Sequence, residues 1–309
     1  MPISYDEFFV PGKARDTELV SSASGRNVAL VISDVTDEVP TPVVLRTTKG
    51  VVGNLNVAGA TSVRTDAERH TMFDVVSRLF GGDPTRPFRL NAIAIGSGGT
   101  RILDEDNPLT GSMTAVETPG LAYAIARQNF PDNPEFWPRT WGHTPRTHET
   151  LGYGGEHSSF QLADEMDTSA IPNPLLHLLW ILQRGASTPA GWNGDLPKYI
   201  ELLRLFAGSG VGQSGLLVLS GGGVTAEEVL LALREDIPVL GIVGTGRAAD
   251  ALVDLKYDSL DNVAESGIRG HYQTVLDEGL DLNLIRLCGM DSPADGQMWL
   301  QEMGFGVML

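Results

Sequence analysis

Apolar and polar positions along this chain group into blocks that switch between a strand-like and a helix-like pattern. "NVALVIS" from Asn27 and "TPVVLRTTKGVVGNLNVAG" from Thr41 are β-branched runs cut by Pro and Gly, which predicts strands near a sheet edge. In "TDAERHTMFDVVSRLF", Met72, Phe73, Val76, Leu79 and Phe80 fall on one helical stripe, and Thr65 with Glu68 has the spacing of a capping box. "RLNAIAIGSGGTR" is an apolar run that stops at Gly96, Ser97, Gly98, Gly99 and Thr100, a strand breaking into a glycine loop. "TPGLAYAIARQNF", "NPLLHLLWILQRG" and "LPKYIELLRLFAG" are expected to be helices, the last two short enough for core packing.

The clearest alternation lies between Leu217 and Leu252. "GLLVLS" runs into Gly221, Gly222 and Gly223, and the next turn opens a helix whose apolar positions include Val229, Leu230 and Leu233. "IPVLGIV" then runs into Gly244, Thr245, Gly246 and Arg247 before "AADALVDL" turns helical. Strands alternating with helices define an α/β protein, Rossmann-like, with a mostly parallel sheet flanked by helices. Residues 1–25 are expected to form an N-terminal arm and residues 26–309 a single α/β domain. A long central loop or lid at about 131–155, rich in Pro, Trp, His and Arg, interrupts that domain.

The glycine turns acquire chemistry from their place. In an open parallel sheet, ligands settle beyond the carboxyl ends of the strands, where these loops gather. Glycines let the backbone approach a ligand closely, and a helix start presents free amides that favour anions, phosphate above all. Gly221, Gly222, Gly223 and Thr225 are therefore candidate phosphate ligands on one side, Gly244, Thr245, Gly246 and Arg247 on the other. Gly98, Gly99 and Thr100 join them as a third loop. Arg247 could clamp a phosphate or carboxylate with its planar fork, or else pair with Asp250 or Asp254 as a surface residue. Thr225 and Glu228 equally have the spacing of a capping box, in which they tie off the helix and touch no ligand.

Neither loop is G-x-G-x-x-G or G-x-x-x-x-G-K-[ST], so the dinucleotide-dehydrogenase and P-loop readings lack their residues. The central His143, His148, Glu149, Glu156 and His157 fit no helix-borne zinc motif, and no metal is assigned. Aromatic residues in "NPEFWPRTWGH" could stack on a base or simply anchor a loop. No G-x-S-x-G elbow is present.

Composition narrows the partners. With 309 residues, 42% of them hydrophobic, the chain can bury a full core, and its formal charge of −17 excludes a duplex-wrapping or anionic-membrane surface. The one cysteine, Cys288, sits among apolar neighbours as a strand residue would, and a chain with one cysteine forms no internal disulfide. No basic leader and no apolar run of about 18 residues is found, so a cytoplasmic protein is expected.

The pair "SGGGVTAEEVLLAL" and "IPVLGIVGTGRAADAL" resembles the SLOG superfamily, in particular the LSDAT branch shared by TRPM channel N-terminal regions and their prokaryotic relatives. There a strand ends in paired glycines and the next strand runs into Gly-[Ser/Thr]-Gly-Arg-Ala-[Ser/Ala]-Asp, which Gly244 to Asp250 matches throughout. The resemblance implies a Rossmann-like fold and a nucleotide ligand of the ADP-ribose type. It also implies no separate cofactor, a homo-oligomer, and an effector protein as a further partner. LOG-type phosphoribohydrolases carry Pro-Gly-Gly-x-Gly-Thr-x-x-Glu at the matching place. Thr225 and Glu228 fit that pattern, whereas Ser220 and Val224 replace its Pro and third Gly. By that similarity Glu228 is the candidate catalytic residue of a nucleotide N-glycosidase. An assembly protein that keeps the fold without a ligand is the third reading.

Overall fold

The computed structural model describes residues 213–308 continuously. Before them it describes strand segments 16–21, 27–34, 53–59, 88–90, 92–97, 99–100, 139–144, 171–172, 178–184 and 188–189, and short pieces at 74–75, 78–80, 126, 130–133, 137, 196–198, 200–201 and 203–204.

A 10-stranded sheet organises these segments. In spatial order it runs β1 (Asp16–Ser21), β2 (Asn27–Asp34), β9 (Leu178–Arg184), β7 (Arg139–Thr144), β5 (Ala92–Ser97), β3 (Gly53–Gly59), β11 (Gln213–Leu219), β12 (Val239–Val243) and β13 (Ile285–Gly289). β10 (Thr188–Pro189) pairs with β9 off this path. From β2 to β13 every neighbouring pair on the path is parallel; β1 against β2 and β10 against β9 are antiparallel. Two small antiparallel pairs lie outside the sheet: β4 (Phe88–Leu90) with β14 (Gly306–Met308), and β6 (Gly99–Thr100) with β8 (Ile171–Pro172).

Four helices follow β11 in the continuous segment: α1 (Gly223–Arg234), α2 (Arg247–Lys256), α3 (Ser266–Asp277) and α4 (Pro293–Glu302). Alternation along β11 sends Leu216 and Val218 to one face and Leu217 and Leu219 to the other, all fully buried. Leu216 and Val218 share a core with apolar residues of α1, α2 and α3, including Val229, Leu252 and Ile268. Leu217 and Leu219 share the opposite core with Leu300 of α4, with Leu79 and Phe80, and with Phe305. A parallel sheet covered by helices on both faces is the α/β Rossmann-like arrangement that the strand and helix alternation predicts.

Several local expectations change. "NPLLHLLWILQRG" contains strand β9, not a helix: its unbroken apolar run suits a strand hydrogen-bonded on both sides in a parallel sheet, and periodicity cannot separate that from a buried helix. β7 passes through the stretch expected to be a loop, carrying His143 and Trp141 in the sheet. The terminal stretch expected to be an arm supplies edge strand β1. β3, expected near an edge, lies inside the sheet between β5 and β11. His148, Glu149, Glu156 and His157 lie outside the described residues.

Candidate functional site

The order of the strands sets where a ligand can sit. From β3 the chain steps to β5, β7 and β9 on one side, whereas from β11 it steps to β12 and β13 on the other. The carboxyl ends of β3 and β11 therefore flank the point where the winding reverses, the position at which open α/β sheets form a ligand crevice. Gly59 at the end of β3 pairs with Leu219, and Ser220 to Gly223 follow immediately. Gly59 carried no signal of its own in the sequence: one glycine in a strand pattern is ordinary, and only the register brings it beside the loop.

Both bends are left-handed. Ser220 has φ 55° and Gly221 φ 83°; in the second loop Gly244 and Gly246 have φ 97° and 94°, and Arg247 has φ 53°. A side chain on Gly221 would run into Thr225, whose buried side chain fills the turn beneath it. The two loops are laced together. The amides of Ala248 and Ala249 donate to the carbonyls of Gly221 and Ser220 at 3.1 and 3.0 Å, and the Ser220 amide donates to Thr245 Oγ1 at 2.8 Å. The Thr245 hydroxyl in turn donates to the Ile242 carbonyl at 2.6 Å. The Gly244 amide donates to the Asp250 carboxylate at 2.6 Å. Gly221 to Gly223 and Gly244 to Arg247 thus form one unit at the ends of adjacent strands.

Helix α1 starts with Gly222 as its N-cap, and no side chain caps it. Its first i to i−4 bond runs from the Ala226 amide to the Gly222 carbonyl, so the amides of Gly223, Val224 and Thr225 precede the helical ladder. The capping-box reading of Thr225 and Glu228 fails for that reason: the helix begins two residues before Thr225, which lies inside the first turn. No acidic residue of that turn offsets the positive end of α1.

Arg247 opens α2 and is exposed, and its guanidinium reaches over Gly222: a Cβ there would stand 2.7 Å from an Arg247 terminal nitrogen. The fork grips Glu265, the N-cap of α3, through Nε at 2.6 Å and a second nitrogen at 2.7 Å. The surface alternative, a pair with Asp250 or Asp254, is not the one formed: Asp250 accepts from Gly244, and Asp254 from Ser259 and Asn262. The start of α3 also closes on α1, with Gly223 and Gly267 close enough that a Cβ on Gly223 would be 3.6 Å from the Gly267 Cα. Glu265 and Gly267 are members of this cluster that the sequence reading missed, because Glu265 lies 18 residues beyond Arg247 and some forty beyond the first glycine loop.

Glu228 lies one turn into α1 and is buried. Its negative charge acts on Tyr272 of α3: burial first, and that charge second, push the phenol well above its ordinary range. The Tyr272 hydroxyl donates to the Ala248 carbonyl at 2.8 Å. The third loop is farther off. Gly99 and Thr100 form β6 just past β5, whose end is two strands from that of β11, about 10 Å at the usual strand spacing. Gly98 lies outside the described residues. Among the described residues, no group of three or more His, Cys, Asp or Glu could hold a metal ion, and no helix is long and apolar enough to cross a membrane.

Fold and loop geometry define a doubly wound α/β protein with two interlocked glycine loops at its switch point. No protein-family model and no curated protein matches the chain. Among the solved structures similar to it are three with low identity. The structural-genomics target TM1055 is 12% identical with a TM-score of 0.39, covering 81% of this chain and 99% of that one. DNA processing protein A of Streptococcus pneumoniae is 11% identical with a TM-score of 0.37, covering 81% of this chain and 62% of its own. The Moco carrier protein of Chlamydomonas reinhardtii is 15% identical with a TM-score of 0.36, covering 82% and 97%.

Proposed function

We propose that the chain is a SLOG-type nucleotide-binding protein, a sensor or binding module for a nucleotide of the ADP-ribose class. The observation that supports this reading is the position of Ser220 to Gly223. They follow β11 at the reversal of the winding, they lead directly into the uncapped start of α1, and they are tied to the Gly244 to Arg247 loop. In this reading the Gly223, Val224 and Thr225 amides receive a phosphate, Gly221 and Gly222 allow its approach, and Arg247 closes the pocket from the second loop. Gly244, Thr245 and Gly246 hold that second loop in place, and Gly99 and Thr100 border the far end of a ligand that extends along the sheet edge. A sensor of this kind passes its signal through a homo-oligomer or an effector protein.

Thermal unfolding with ADP-ribose, AMP, CMP and NAD tests the reading. A ligand at 100 times its Kd adds about 2.7 kcal/mol to the folded state. The expected result is stabilisation by a nucleotide that Arg247→Ala weakens. No shift with any nucleotide at millimolar concentration overturns the proposal.

A further inference from the structure

Three features place Arg247 between two competing partners. Its backbone is pinned: φ is 53°, and the next two amides are bonded to the first loop, so only its side chain can change partner. Its guanidinium lies over Gly222, at the start of α1, while its fork is engaged by Glu265. Both side chains are partly exposed, at 35% and 43%, and exposed pairs of this kind are readily exchanged. Glu265 is the N-cap of α3, yet its carboxylate makes no capping bond to that helix. The first turn of α3 touches the first turn of α1 through Gly267 and Gly223.

We propose that the Arg247–Glu265 fork is a ligand-operated latch: an anion settling at the start of α1 draws the guanidinium away from Glu265 and so releases the beginning of α3. The latch rests on the anion site proposed above and adds its regulation. With the fork closed, Glu265 competes with the ligand for Arg247 and lowers affinity. With the fork open, the beginning of α3 loses its tie to the second loop through Arg247. Filling the crevice is thereby coupled to the packing of α3, on the face of the sheet away from α4.

The test is calorimetry on the full chain with two probes, inorganic pyrophosphate and ADP-ribose, comparing wild type, Glu265→Gln, Glu265→Asp, Arg247→Gln and the Glu265→Gln/Arg247→Gln double variant. Removing the competitor is expected to tighten pyrophosphate binding about 2- to 5-fold in Glu265→Gln, the range set by releasing Arg247 from an exposed ion pair. Glu265→Asp, which keeps the charge, should stay nearer wild type. In the Arg247→Gln background the Glu265→Gln change should have no effect on affinity. Hydrogen exchange of amides 266–270 should rise when pyrophosphate is added to wild type, and should be already raised in Glu265→Gln. Equal or weaker binding by Glu265→Gln overturns the latch; if ADP-ribose still binds wild type, the nucleotide reading survives that result. Tighter pyrophosphate binding with no nucleotide bound by any variant upholds the latch and removes the nucleotide reading. Failure of both probes on every variant removes both.

Discussion

The hydroxyl of Tyr272 donates to the carbonyl of Ala248 across 2.8 Å of buried interface, joining the middle of α3 to the first turn of α2 one residue past Arg247. Buried Glu228 of α1 lies near enough for its charge to act on the same phenol. Tyr272→Phe keeps the ring and removes only the hydrogen bond. It is expected to cost about 1 kcal/mol in urea unfolding, the usual net worth of a neutral hydrogen bond, since the Ala248 carbonyl is left short of one donor. A cost below about 0.3 kcal/mol, roughly the noise of such measurements, would remove the contact from any account of how the loops are held.

The same phenol gives stability an alkaline limit. Its pKa in the folded chain is raised, because burial and the Glu228 charge both oppose ionisation. An unfolded tyrosine titrates at about 10. Above that pH the unfolded chain releases the proton and the folded chain keeps it. The unfolded state then binds fewer protons, and stability falls by up to about 1.4 kcal/mol per pH unit. Below about pH 10 this contribution is fully present. Unfolding free energies measured between pH 8 and pH 11 should therefore fall more steeply for wild type than for Tyr272→Phe, and parallel slopes would contradict the assignment.

Backbone conformation at the first loop separates from backbone conformation elsewhere. Gly279 has φ 64° with nothing within 4 Å of a built Cβ, so Gly279→Ala is charged only for the left-handed backbone, about 1 kcal/mol. Gly221 combines φ 83° with a side chain, Thr225, already in the space. Gly221→Ala should cost about 2–4 kcal/mol, because the strain and the displacement of a buried neighbour add. Chemical denaturation of the two variants side by side checks the order; equal costs would mean that the turn relaxes freely.

The loops were legible in the sequence because glycines at the ends of apolar runs serve a local need, the positive φ values at Gly221, Gly244 and Gly246. The fold class was legible for a similar reason, since β11, α1, β12 and α2 each carry their own period. The run around β9 misled because a strand between two parallel neighbours needs no polar face and therefore shows no alternation. β7 was hidden by its Trp, Gly and His content, which pairing with β5 and β9 overrides. Glu265, Gly267 and Tyr272 could not be read at all. Their place beside the loops depends on how α3 crosses α1 and α2, a relation of packing that no local pattern in "AESGIRGHYQ" encodes.

Thr245 stitches the ends of β11 and β12, accepting from the Ser220 amide and donating to the Ile242 carbonyl. Thr245→Val keeps the shape and removes both bonds, leaving the Ser220 amide without its acceptor. The expected loss is about 1–3 kcal/mol, and Thr245→Ser should recover most of it. If Thr245 matters to the ligand only by holding the two loops together, Thr245→Ser restores nucleotide binding along with stability. Recovery of stability without recovery of binding would place the Thr245 methyl in the pocket.

Glu228 decides between a binding module and an N-glycosidase. For hydrolysis its carboxylate has to meet the ribosyl carbon or a water beside it, which requires access from the crevice. The side chain is buried one turn into α1, close enough to Tyr272 of α3 for its charge to raise the phenol. If that carboxylate serves the helix interface, its removal is read in stability. Glu228→Gln is therefore expected to shift the unfolding midpoint while leaving the Kd for ADP-ribose within about twofold, a change under 0.5 kcal/mol. Wild type incubated with AMP, CMP or NAD at high protein concentration should release no free base detectable by chromatography. Base release that Glu228→Gln abolishes, without any loss of nucleotide binding, would reverse the assignment and make the chain a hydrolase whose carboxylate swings out of the interface to act.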